Sequence, residues 1–128
     1  MSKRLNILTS IQAKLETLSG FETVLYGQPV DCEYDKAAIA FQPISHDYKI
    51  NNQQYENEIE IQVRLIKFTD NLLADGENLL DELESLIRDE NWGNNAVKTV
   101  LLRNQFSFGE NGKKAFLLEF DFKVMYRI

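Results

Sequence analysis

"AFLLEFDFKVMYRI", Ala115–Ile128, decides the fold. Phe116, Leu118, Phe120, Phe122, Val124, Tyr126 and Ile128 fall on one parity. Glu119, Asp121, Lys123 and Arg127 fall on the other. Successive side chains of a strand point to opposite faces, so this is a long β-strand with one dry face and one charged face. "YENEIEIQVRLIKF", Tyr55–Phe68, repeats the pattern: Ile59, Ile61, Val63 and Leu65 alternate with Glu58, Glu60, Gln62 and Arg64. Two such strands describe an antiparallel sheet covered on one side only.

The cover is legible in two helical stretches. Residues 3–19 place Ile7, Leu8, Ile11, Leu15 and Leu18 on one stripe, with Ser2 as a cap and Gly20 as a stop. Residues 71–88 gather Leu72, Leu73, Leu79, Leu80, Leu83, Leu86 and Ile87 on one face, after a cap at Thr69 or Asp70. Gly76 lies inside that face, where close backbone approach to the sheet explains a residue that disfavours helix.

The remaining segments are shorter. Residues 21–27 and 36–43 read as strands, the second ended by Pro43. "GQPVD" is turn chemistry between them. "SHDYKINNQQ" reads as a loop with room for a short strand at Asp47–Ile50 and a turn at Asn51-Asn52. Residues 96–108 are extended but alternate imperfectly, and Asn111-Gly112 marks a hairpin turn before the last strand. The expected order is α-β-β-(β)-β-α-β-β. Both helices pack on one face of a mostly antiparallel sheet, giving a single α+β domain over residues 1–128.

The totals restrict function. The chain has 128 residues and 44% hydrophobic content, enough for one domain with a real core. Its net charge of −6 is concentrated: Asp70 to Asn91 carries eight acids against Arg88 alone, so the rest sums to +1. Nucleic-acid binders advertise basic stripes, and direct nucleic-acid recognition is not expected here. One cysteine, Cys32, forms no internal disulfide and fits a reducing compartment. The N-terminal stretch lacks a continuous apolar run, and no segment reaches bilayer-spanning length. A soluble protein, intracellular when made and away from membranes, is expected.

Catalytic or metal chemistry finds little support. His46 is the sole histidine, and zinc sites want several His or Cys ligands. A lone loop histidine reads as solvated. Cys32 reads as a structural thiol rather than a nucleophile served by His46, and the consecutive residues "SHD" cannot fold into triad geometry. "GENGKK" sits between strands and opens no helix, so it is a hairpin tip rather than a phosphate loop. We expect no cofactor, no metal and no enzyme.

Surfaces carry more information. The acidic helix face is either solvated or set against a basic partner. Trp92 reads as a cap on the core at the helix end, with an exposed partner anchor as the alternative. Ala115–Ile128 would extend about 45 Å at roughly 3.3 Å per residue. An 18-residue helix is only about 27 Å long, so the ends of both long strands should overhang. Such ends either curl into the chain's own core or are covered by another subunit. On the charged face, Glu58, Glu60, Gln62, Arg64, Glu119, Asp121, Lys123 and Arg127 mix both signs. They pair across strands within one subunit, or between copies to fix register.

One resemblance covers nearly the whole chain, in pattern and length. An N-terminal helix ends "LETLSGFETVLYG" and leads straight into a short strand. The strand "YENEIEIQVRLI" runs into the amphipathic helix "NLLADGENLLDELESLI", followed by an "NWG" turn and a hairpin closing on "VMYRI". This layout resembles the tail-terminator (tail-completion, minor tail) proteins of long-tailed bacteriophages and prophages. The resemblance implies a structural homo-oligomer, usually a hexameric ring, on the end of the completed tail tube. The ring would stop polymerisation of the tail-tube protein and present a surface to the head-tail connector protein. It would assemble in the bacterial host cytoplasm and reside in the virion tail. A head-tail joining protein or tube subunit, and a small-molecule-binding α+β domain, are the competing readings.

Overall fold

A computed structural model describes residues 2–27, 36–51, 54–109 and 112–127. The elements run α1 (Lys3–Leu15), β1 (Thr23–Tyr26), β2 (Ala38–Asn51), β3 (Gln54–Phe68), α2 (Leu72–Ile87), β4 (Lys98–Phe108) and β5 (Ala115–Arg127). The five strands form one sheet in the order β1-β2-β3-β5-β4. β1 pairs with β2 in parallel, and the other pairs are antiparallel. The class is therefore α+β with two helices on a mixed sheet. Cys32, Asn52 and Asn111, with the turns read around them, lie outside the described residues.

Parity builds the core as the alternation predicts. Ile59, Ile61, Val63 and Leu65 of β3 join Phe116, Leu118, Phe120, Phe122, Val124 and Tyr126 of β5 in one buried cluster. Ile7, Ile11 and Leu15 of α1 and Leu79, Leu83 and Ile87 of α2 close it from the same side. α1 lies toward β2, where Arg4 bonds His46, and the segment that follows it meets β3, the Lys67 ammonium sitting 5.7 Å over the Phe21 ring. α2 lies over β5 and β4. A Cβ built on Gly76 would come within 3.2 Å of the Phe106 ring, the close approach that its sequence position predicts.

Several boundaries differ from the sequence reading. α1 ends at Leu15 rather than residue 19, because the Thr17 hydroxyl donates to the Lys14 carbonyl and tightens the last turn. Leu18 stays in the core, and Gly20 turns the chain at φ +89°. α2 is capped by Asn71, whose side chain accepts from the Ala74 amide, not by Thr69 or Asp70. The Thr69 hydroxyl is committed to the Asp75 carboxylate instead.

The larger correction concerns Pro43. It does not end a strand. β2 is continuous from Ala38 to Asn51, and its register slips between Pro43 and Ser45. A bulge absorbs one extra residue, Ile44, and accommodates the missing amide donor. The expected extra strand at Asp47–Ile50 is the far half of β2. A second register shift between Leu101 and Arg103 explains the imperfect alternation of residues 96–108: across it, Leu101 and Phe106 both reach the core.

The expected overhang is found at the Tyr55 end of β3 and not at the end of β5. β5 is covered almost to its end, Tyr126 being buried. The β2–β3 hairpin instead projects past the helices, leaving Tyr48, Ile50 and Tyr55 68%, 71% and 62% exposed. Opposite the helices, Ala38, Ala40, Ile66, Ala115 and Leu117 form a small second buried cluster.

Candidate interaction surface

The charged residues predicted for the open face are brought together by register. Arg64 stands directly opposite Glu119 and bonds it at 3.0 Å. Lys123 reaches Glu58 at 3.3 Å, and Lys49 of β2 reaches the same carboxylate at 3.1 Å. Arg103 of β4 bridges Asp121, directly opposite, and Glu60. Six of the eight predicted residues are thus ion-paired within the chain. Gln62 lies between them, opposite Gln42 and Asp121. Arg127 faces Glu56, and its carbonyl accepts from Lys3.

This network is partly withdrawn from water, with Glu58 and Asp121 buried. The Lys49 ammonium holds the Glu58 carboxyl below its ordinary value, and Lys123 adds to the effect against the cost of burial. The hydrogen bonds that Arg103 donates to the Asp121 and Glu60 carboxylates raise its already high pKa. A lowered carboxyl pKa stabilises the fold above the ordinary value of about 4.3 and loses that contribution as pH falls through the lowered one. Glu58→Gln should therefore be less stable than wild type at neutral pH. The deficit should narrow as pH drops below about 4.3, read by denaturant titration at several pH values.

His46 is not a solvated loop residue. It lies in β2 beyond the bulge, stacked on Tyr48 with ring centroids 4.4 Å apart. The Arg4 guanidinium only donates, so Nδ1 accepts its bond at 2.9 Å. Nε2 then carries the proton and donates to the Asn57 side-chain oxygen at 3.0 Å. The Tyr126 hydroxyl lies 3.4 Å from Nε2, and its pKa is raised by burial. His46 thus ties α1 to β2, β3 and β5. The alternation of His46, Tyr48 and Ile50 could have revealed this, once a bulge at Ile44 is allowed.

Trp92 is buried as a core cap. Its ring stacks on Phe122 at 5.9 Å, and its indole nitrogen donates to Thr99 at 2.9 Å. Among the described residues no group of three or more His, Cys, Asp or Glu could hold a metal ion, and no helix is long and apolar enough to cross a membrane. Two open grooves are lined with apolar surface. One, of about 370 Å³, runs between α1 and the Glu90–Gly93 turn. The other, of about 80 Å³, lies between Leu72, Leu73 and Gly76 of α2 and Phe106 and Phe108 of β4.

The sheet edges were not read from the sequence. Among the described residues, no strand pairs with the outer side of β4, and β1 covers β2 only from Ala38 to Phe41. Ile44, Tyr48 and Ile50 on the open part of β2 are exposed, as are Val97, Leu102 and Phe108 on or beside β4.

No family model and no curated protein matches the chain. Solved structures do. One is a chain of the virion of a native gene transfer agent particle, with a TM-score of 0.66 at 9% identity, covering 95% of this chain and 98% of that one. Another, bearing no descriptive name, has a TM-score of 0.60 at 16% identity, covering 100% of this chain and 96% of that one. At these identities the likeness is one of fold.

Proposed function

We propose that this chain is a structural virion protein of the tail-terminator type, acting as a ring on the end of a completed tail tube. The observation that carries the reading is the fold likeness to a chain of a gene transfer agent virion, which covers 95% of this chain and 98% of that one. The open edges and the projecting hairpin support it, since surface of that kind suits contact between copies. In this reading the ring is a hexamer, stops growth of the tail-tube protein and offers its other face to the head-tail connector protein. It assembles in the bacterial host cytoplasm and ends in the virion tail. The work is done by binding surfaces, without catalysis or cofactor.

Light scattering across a concentration series separates this from its neighbours. A terminator gives one discrete mass, near six times 14.9 kDa. A tube subunit grows without limit. A monomer at every concentration confines ring formation to the tube end.

The charges of the open face serve register within the chain in this account. Charge reversal at Arg64 or Lys123 should lower stability and leave oligomer mass unchanged. Loss of the oligomer in a variant that still folds would move Glu58, Glu60, Gln62, Arg64, Glu119, Asp121, Lys123 and Arg127 to the contact between copies.

A further inference from the structure

We infer that copies join head to tail through strand pairing, Lys98–Leu101 of one copy lying antiparallel to Pro43–Asp47 of the next. This seam rests on the ring reading and names its contact. Direction comes first. β2 is antiparallel to β3, β3 to β5 and β5 to β4, so β4 runs opposite to β2. A neighbour's β4 laid beside β2 continues the antiparallel sheet. Both edges are free of strand partners there among the described residues. One copy offers one edge of each kind, which is what a rotationally closed, heterologous contact requires.

Register gives the second argument. Lys98 pairs with Met125, Met125 with Glu58 and Glu58 with Asp47. Lys98 and Asp47 therefore lie at the same height on the same face of the two outer strands. Neither has an ion-pair partner among the described residues, and both are exposed. Rotation about an axis along the strands sets them opposite each other, as an ion pair across the seam. Beside it, Val97 precedes the ladder, its amide donating to the Met125 carbonyl at 2.7 Å. Val97 and Tyr48 are both exposed apolar side chains. Charge meets opposite charge across the seam, with these exposed apolar side chains at its end.

The bulges bound the seam. Ile44 and Leu102 sit at nearly the same height, through Pro43, Ile61, Phe122 and Leu101. Below that level β1 occupies the edge of β2. A bulge bends its strand, and the one at Leu102 lets β4 part from the neighbour where β1 begins. The two bulges place Ile44 and Leu102 at the edge, both exposed.

Cross-linking tests the seam in the full chain. Directly opposed residues of an antiparallel pair approach closely enough for a disulfide. In a Cys32→Ser background, Asp47→Cys with Lys98→Cys should give a ladder of covalent multimers under mild oxidation, ending at the ring. A control pair, Gln12→Cys with Lys98→Cys, should stop near dimers. A ladder that never closes keeps the seam and overturns the ring. A ring mass without a ladder overturns the seam and leaves the ring. Neither ladder nor assembly, with tail tubes present as well, overturns both. Charge exchange gives a second readout: Asp47→Lys and Lys98→Glu should each weaken the oligomer, and together restore it. Failure of the double variant to restore an oligomer that each single change abolishes would overturn the pairing.

Discussion

Replacing Trp92 with alanine is expected to lower unfolding free energy by about 3–5 kcal/mol, the range for emptying a large aromatic site in a core. The side chain is only 1% exposed. It stacks on Phe122 and donates to Thr99, whose hydroxyl in turn donates to the Glu90 carbonyl at 2.7 Å. The same residue holds an unfavourable backbone. Trp92 has φ +53°, and the turn also places Asp89 and Asn94 at φ +59° and +66°. Left-handed conformations at non-glycine residues persist where surrounding contacts over-determine them. Removing the indole should loosen the turn as well as the core. Trp92→Phe should recover part of the loss, because the ring contact survives and the hydrogen bond does not. Denaturant titration of the three proteins checks this, and equal stability of Trp92→Ala and wild type would contradict it.

Two leucines on α2 should separate by a comparable amount. Leu83 is 0% exposed, and Leu73 is 78% exposed. Leu83→Ala removes packing under the middle of the helix and should cost about 2–5 kcal/mol. Leu73→Ala, at the rim of the groove beside Phe108, should stay within about 0.5 kcal/mol in the isolated chain. Thermal or denaturant unfolding reads both. A similar cost for the two would mean that α2 is not docked by the face described.

Those contrasts mark what the sequence makes legible. The apolar parity of β3 and β5 and the stripes of both helices are local signals that name most of their buried residues directly; Leu73, placed on the α2 stripe, is instead exposed at the margin of that face. Gly76 and Trp92 are legible for the same reason: an unusual residue on a known face has few explanations. Pro43 misleads because its missing amide donor argues for a strand end, while a neighbouring bulge lets the strand continue. The bulge at Ile44 hides the alternation of His46, Tyr48 and Ile50, and with it the tie to Arg4 and Asn57. Leu102 blurs β4 in the same way. Strand order is a long-range property. Nothing local tells β5 to sit between β3 and β4, so the free edges appear only once the sheet is assembled. The charged face shows the intermediate case. Alternation places Glu58, Arg64, Asp121 and Lys123 on one side, and only register chooses their partners.

In the proposed role this chain closes the end of a growing tube. The most direct measurement is tube length by electron microscopy, with purified tail-tube subunits polymerised in the absence and presence of this protein. Arrested tubes are expected, with a mean length that falls as the protein is added and an extra ring of density at one end. Tubes of unchanged length with two bare ends would contradict it.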